Sequence, residues 1–188
     1  IIATNQNNIL HRTLETGSYT KEGVMPSISP SMDIQVSSNF ERALFDVYDR
    51  EGAAIGQLMN ELAQNGSFTL SQGALGRLRL EFDSGDCTEE ETSAAIATLR
   101  KMTGQVVCPH TAVGVKVAAD KRDTGRVPMI TLATAHPAKF PGAVEAACGV
   151  RPALPPHLAE LFDKPERVTR VANDLNALKE TILKGIRP

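Results

Sequence analysis

One segment constrains this chain more than any other: Val127-Pro128-Met129-Ile130-Thr131-Leu132-Ala133-Thr134-Ala135-His136-Pro137-Ala138-Lys139-Phe140. It reads as an apolar strand over residues 127–134 that runs into a hydroxyl, a His-Pro corner and a new helix. Two clear strands among many helices would by themselves suggest an α-rich domain; with an upstream half restored they fit the edge of a larger α/β sheet. The order of the segment puts Thr134 at the carboxyl end of a buried strand, where open α/β sheets bind ligands. A second short strand is expected at residues 1–4, running into Asn5, Asn7 and Asn8. Asn5 and Thr134 would then stand at the ends of two strands of one sheet and converge on one crevice.

Helical patterns fill most of the rest. A helix is expected from residue 8 to about 16, stopped by Gly17 in a left-handed conformation. Residues 18–37 are loop-rich, and loops of that length usually serve a function. Ser38 with Glu41 reads as a capping box opening a helix whose apolar face is Phe40, Leu44, Val47 and Tyr48. Further helices are expected over 51–64, from Thr69 with Gln72, and from Thr88 with Glu91 to near Gly104. A small-residue helix follows over about 110–121, then an Asp123-Thr124-Gly125 turn. Pro137 suits the opening of a helix running to about Gly149, because a first turn does not need the missing N–H. A proline-rich connector and a short helix over 158–162 lead to a last helix with a seam of Val168, Val171, Leu175, Leu178 and Ile182. The organisation expected is a main α/β domain over 1–150, with a helical insertion at about 51–104, and a connector with C-terminal helices over 151–188 packed on it.

Composition excludes several function classes. The 188 residues carry a net charge of −2, so no basic groove for nucleic acid is built in. No apolar run approaches the roughly 20 residues of a membrane span. Cys87, Cys108 and Cys148 are odd in number and widely spaced, which suggests reduced thiols in a cytoplasmic protein and no metal site.

Several polar residues invite a chemical reading beside a structural one. Asn5, Asn7 and Asn8 precede a helix, where free N–H groups suit a phosphate or carboxylate; sequence alone favours an Asn-rich turn and N-cap. Ser29, Ser31, Asp33, Ser37, Ser38 and Asn39 form a polar loop that can close over a substrate or be an ordinary surface loop. Thr134 is either a ligand contact or a cap for the next helix. His110 and His136 each adjoin a proline; a hydrogen-bonded corner competes with a proton shuttle. Glu89, Glu90 and Glu91 complement a helix N-terminus.

Four strings, in order, resemble threonine synthase: Ala3-Thr4-Asn5-Gln6-Asn7-Asn8, Ser29-Pro30-Ser31-Met32-Asp33-Ile34, Cys108-Pro109-His110-Thr111-Ala112-Val113, and Thr134 to Phe140. Asn8 and Cys108 stand where acids are usual. The resemblance implies part of the large domain of a tryptophan-synthase-β-like fold, α/β, helix-rich with few strands in this segment. It implies pyridoxal phosphate as cofactor, bound by Thr134, whose hydroxyl would face the pyridine nitrogen, and by Asn5. It implies conversion of O-phosphohomoserine and water to threonine and phosphate, with Asn8, Arg12, Ser31 and Asp33 on the substrate. Arg12 and Arg42 are candidates for the phosphate, whose geometry guanidinium matches. The family's Schiff-base lysine and phosphate-cradling loop have no counterpart here, and Lys139 lies outside that motif. No catalytic residue is therefore expected in this chain, which reads as the inactive C-terminal portion of a longer enzyme whose oligomeric state the sequence leaves open, a monomer being favoured. The alternatives are a non-catalytic relative that binds ligand, or another enzyme of the same cofactor fold.

Overall fold

The computed structural model describes residues 1–185 except Thr124 and Arg126. The expected Asp123-Thr124-Gly125 turn therefore includes a residue outside the described ones.

The chain opens with β1 (Ile2–Thr4), α1 (Ile9–Thr16) and β2 (Ser18–Thr20). Gly17 stops α1 with φ 80°, a backbone conformation that glycine adopts without strain. Then follow α2 (Phe40–Val47), α3 (Gly52–Asn65), β3 (Ser67–Thr69), α4 (Gln72–Glu81) and β4 (Ser84–Asp86). The remainder of this unit is α5 (Glu89–Thr103), α6 (Pro109–Asp120) and α7 (Pro141–Cys148). Ile1–Ala153 forms one compact unit, and a second unit begins at Leu154.

Parallel β1 and β4 pair Ile2 with Ser84 and Thr4 with Asp86, while antiparallel β2 and β3 pair Tyr19 with Phe68. The stretch 51–104 is thus not only helical: it supplies β4 to the strand that leads into Asn5. The larger core gathers Ile9, Leu44, Leu62, Leu75 and Leu78 around Tyr19, which stacks on Phe68 at 4.8 Å and Phe40 at 5.9 Å between centroids. Cys87, Val113 and Val117 join Ala3 and Met32 beneath β1 and β4. Ile96, Ala112 and Val144 hold α5, α6 and α7 together. A Cβ on Gly85 would lie 2.8 Å from Val117 Cγ1, so β4 meets α6 only because residue 85 has no side chain.

Several local expectations need correcting. Residues 127–134 form no strand; Val127, Ile130 and Leu132 are exposed. A strand is stable only when its backbone groups pair with a neighbour, and no described strand lies beside this one. Three-residue β2, β3 and β4 were not expected: Ser-Gly-Asp of β4 carries no β-branched or aromatic signal, and Ser-Tyr-Thr and Ser-Phe-Thr of β2 and β3 are too short to show an alternation. The Ser38–Glu41 box does not form: Asn39 precedes α2 without a side-chain cap, and the Ser37 N–H donates to the Tyr19 hydroxyl at 2.8 Å. The two helices expected over residues 40–64 are separated by Asp49 and Arg50, with φ 55° and 64°. Thr69 pairs in β3, so Ser71 caps α4 instead, accepting from Ala74 N at 3.2 Å. Only Pro137–Lys139 follows the His-Pro corner as a 3-10 turn, and Pro141, which lacks an N–H, starts α7 afresh. In the second unit, Pro156–Leu158 and Leu161–Asp163 are short 3-10 turns. The last helix, α8, spans Leu175–Gly185, leaving Val168 and Val171 outside, because Asp174 Oδ1 accepts from Ala177 N at 2.8 Å and opens it there. The Thr88–Glu91 capping box forms as expected.

Candidate functional site

A cavity of about 600 Å³ has a size suited to small molecules. Ala3 of β1, Ser31 and Met32, His110, Gly114 and Val117 of α6, and the 129–134 segment with Thr134 line it. A Cβ on Gly114 would sit 3.0 Å from Thr131 Cγ2, so that glycine lets the segment lie close against α6. Ser31, Thr131 and Thr134 are the hydroxyl-bearing residues of this wall, and His110 is its imidazole. Among the described lining residues none is acidic, and none is a lysine or arginine.

His110 is the lining side chain with the most specific environment. It lies just inside the start of α6, which Cys108 caps by accepting from Thr111 N at 3.4 Å. The Ser31 N–H donates to its Nε2 at 3.0 Å. A neutral imidazole accepting at Nε2 carries its proton on Nδ1, and Nδ1 is buried with no partner among the described residues. Its ring tilts against Phe140 at 4.6 Å. Burial lowers its pKa, nearby Lys139 lowers it further, and Asp33 opposes both.

Beside the cavity, a polar network anchors the 25–33 loop to the end of β1. Asp33 accepts from Asn5 Nδ2 at 2.7 Å, Asn7 Nδ2 at 2.9 Å, Ser27 N at 2.8 Å and Ser27 Oγ at 2.6 Å. Asn5, 1% exposed, also donates to Ser29 Oγ at 3.0 Å and accepts from Asn7 N at 2.9 Å. Asn7 closes the network through the Met25 backbone, donating to its carbonyl and accepting from its N–H, both at 2.8 Å. The Ile28 N–H reaches Glu89 at 3.2 Å. Asn5 is therefore committed to bracing the loop and does not line the cavity that Thr134 lines. Asp33 is saturated by donors, and its charge repels a phosphate.

Asn8 and Arg12 form a separate cluster. Asn8 Nδ2 donates to Asp86 Oδ2 at 2.7 Å, and Asn8 Oδ1 accepts from Arg12 Nε at 3.0 Å. Arg12 also pairs with Glu22 and donates to the Thr20 carbonyl at 3.2 Å. A phosphate at Arg12 has to compete with the Glu22 carboxylate. Arg42 lines a different, open depression with Asp46 and Arg50. Of the six singled-out residues, the structure brings Thr134 and Ser31 to one cavity. Asn5 and Asp33 stand behind it, while Asn8 and Arg12 lie apart. The turn after Thr134 is capped by His136 Nδ1, which accepts from Ala138 N at 3.2 Å, so capping does not account for Thr134.

Sequence reasoning passed over two contributors. Glu89 looked like an ordinary first-turn acid, and His110 like a corner histidine. Only the fold brings the 28–31 backbone to them; for His110 the sequence offered its place beside Pro109 and within the 108–113 string, but not its partner.

The family model described as "Threonine synthase, C-terminal" matches residues 111–182. The chain is 47% identical to the threonine synthase of Pseudomonas aeruginosa over 93% of its own length and 38% of that protein's. It is similar to a crystal structure of PLP-bound threonine synthase from Brucella melitensis, with a TM-score of 0.88 and 49% identity, covering 100% of this chain and 40% of that one. The structure of threonine synthase from yeast gives a TM-score of 0.82 at 31% identity, over 97% and 41% of the two chains. The chain thus spans about two fifths of the length of these relatives.

Proposed function

The chain belongs to the threonine synthase family, as the C-terminal part of its fold, and on that premise we propose that it forms one wall of the active site of a longer threonine synthase. That enzyme would convert O-phosphohomoserine and water to threonine and phosphate with pyridoxal phosphate. The observation that carries the reading is the composition of the cavity: three hydroxyl-bearing residues and a neutral imidazole, with no ionic side chain among its described lining residues.

That wall fits one edge of the cofactor. When bound, pyridoxal phosphate withdraws electrons from the substrate bonds being changed. A hydroxyl opposite a pyridine nitrogen leaves that nitrogen less protonated than a carboxylate would, and Thr134 is the lining residue suited to this. Ser31 presents its side chain at the rim, on the loop that Asn5, Asn7 and Asp33 brace. Ala3, Met32 and Val117 supply apolar walls that exclude water, which strengthens the remaining polar contacts. Asn8 and Arg12 would reach the substrate phosphate only after Arg12 exchanges Glu22 for it. No lysine lines the wall, so the covalent and proton-moving work falls to another part of the enzyme, and this chain alone would be inactive. The Cys87 and Cys108 thiols, bonded to Thr92 and Thr111 at 3.2 Å each, support a reducing, cytoplasmic setting.

The test is to incubate the full-length protein with pyridoxal phosphate and O-phosphohomoserine and to measure threonine and phosphate. The expected result is equimolar release of both. Saturable cofactor binding without product would point to a non-catalytic relative, and a different product to another enzyme of the fold.

A further inference from the structure

We infer that His110 is a positioning residue that sets the rim of the active-site cavity by holding the Ser31 backbone. The inference rests on the reading of this cavity as the active site. Ser31 and His110 are 79 positions apart in sequence, yet the Ser31 N–H donates to His110 Nε2 at 3.0 Å. Ser31 sits in the 3-10 turn Pro30–Met32, and both Ser31 and Met32 line the cavity. The same loop is tied elsewhere by Glu89 at Ile28 and by Asn5 and Asn7 at Asp33. His110 is the tie located at the cavity itself.

The tie depends on a neutral ring. A protonated imidazole carries hydrogens on both nitrogens, so Nε2 can no longer accept. The charged groups around the ring come from two elements packed against it: Asp33 on the loop, which favours the proton, and Lys139 on the 3-10 turn after the His-Pro corner, which opposes it. Burial also opposes it, so the tie is closed at neutral pH. A residue kept for packing alone would not leave Nδ1 buried without a partner among the described residues. Substrate positioned by Ser31 therefore depends on the charge state of a side chain on a different element.

The test uses the full-length protein with His110→Phe, which keeps a ring against Phe140, and His110→Gln, which keeps an acceptor that does not titrate. Amide exchange at Ser31 is read between about pH 5 and pH 8, spanning the ordinary imidazole range, and corrected for intrinsic rates. In the natural protein, Ser31 should be protected at pH 8 and lose protection towards pH 5, while Val113 and Val117 in α6 stay protected. His110→Gln should protect Ser31 at both pH values, and His110→Phe at neither. In turnover, His110→Phe should raise KM for the phosphorylated amino acid about tenfold with kcat nearly unchanged, as expected for one lost positioning bond, and His110→Gln should restore most of it. Unchanged Ser31 protection in His110→Phe, or loss of α6 protection together with Ser31, would overturn the inference. If the natural protein turns over no such substrate, the functional reading fails, and the exchange results still decide the role of His110.

Discussion

Asp33 is the residue on which the loop beside the cavity turns. Its carboxylate collects four donors, two of them from the buried amides of Asn5 and Asn7. Asp33→Ala should destabilise the folded protein by about 2 kcal/mol, because both amides and Ser27 lose a charged acceptor at once. Chemical denaturation of the full-length protein reads the change; an unaltered midpoint would mean the network adds nothing. His110 gives the stability a pH dependence. Its folded pKa lies below the ordinary imidazole value of about 6.5, so folding opposes its protonation. Its contribution is fully present above that value and is lost as pH falls through the lowered folded value. Thermal midpoints should therefore drop on mild acidification, and His110→Gln should lessen the drop. Most of these residues could be picked from the sequence as polar and close to ligand-binding ends of strands. Which of them meet could not, because Asn5 and Asp33 lie 28 positions apart and bond only once β1 and the loop are folded.

At the scale of elements, helices were more legible than strands. Helix ends are written locally: Gly17, Gly66, Gly104 and Gly149 all stop helices with positive φ, and Thr88 with Glu91 opens α5. Thr88→Ala should cost about 1 kcal/mol in a denaturation midpoint, the usual value of an N-cap; no change would mean that tertiary packing alone fixes the start of α5. Strands depend on partners distant in sequence. The segment 127–134 has the apolar character of a buried strand yet lies exposed and unpaired. Amides of Ile130 and Leu132 should exchange fast in the isolated 188-residue chain. In a full-length enzyme that supplies a neighbouring strand, they should be among the slowest. Strong protection in the isolated, monomeric chain would show that the segment is satisfied within these residues.

For the whole molecule, likeness to threonine synthases extends over nearly all of the chain, whereas the chain spans about two fifths of theirs. The proposed role of this wall requires the cofactor edge to lie against Thr134. The most direct measurement is a crystal structure of the full-length protein with pyridoxal phosphate bound. The account predicts the Thr134 hydroxyl within hydrogen-bond distance of the pyridine nitrogen, below about 3.2 Å, with His110 holding Ser31 at the rim. A ring nitrogen facing a carboxylate, or a cofactor bound away from Thr134, would contradict it.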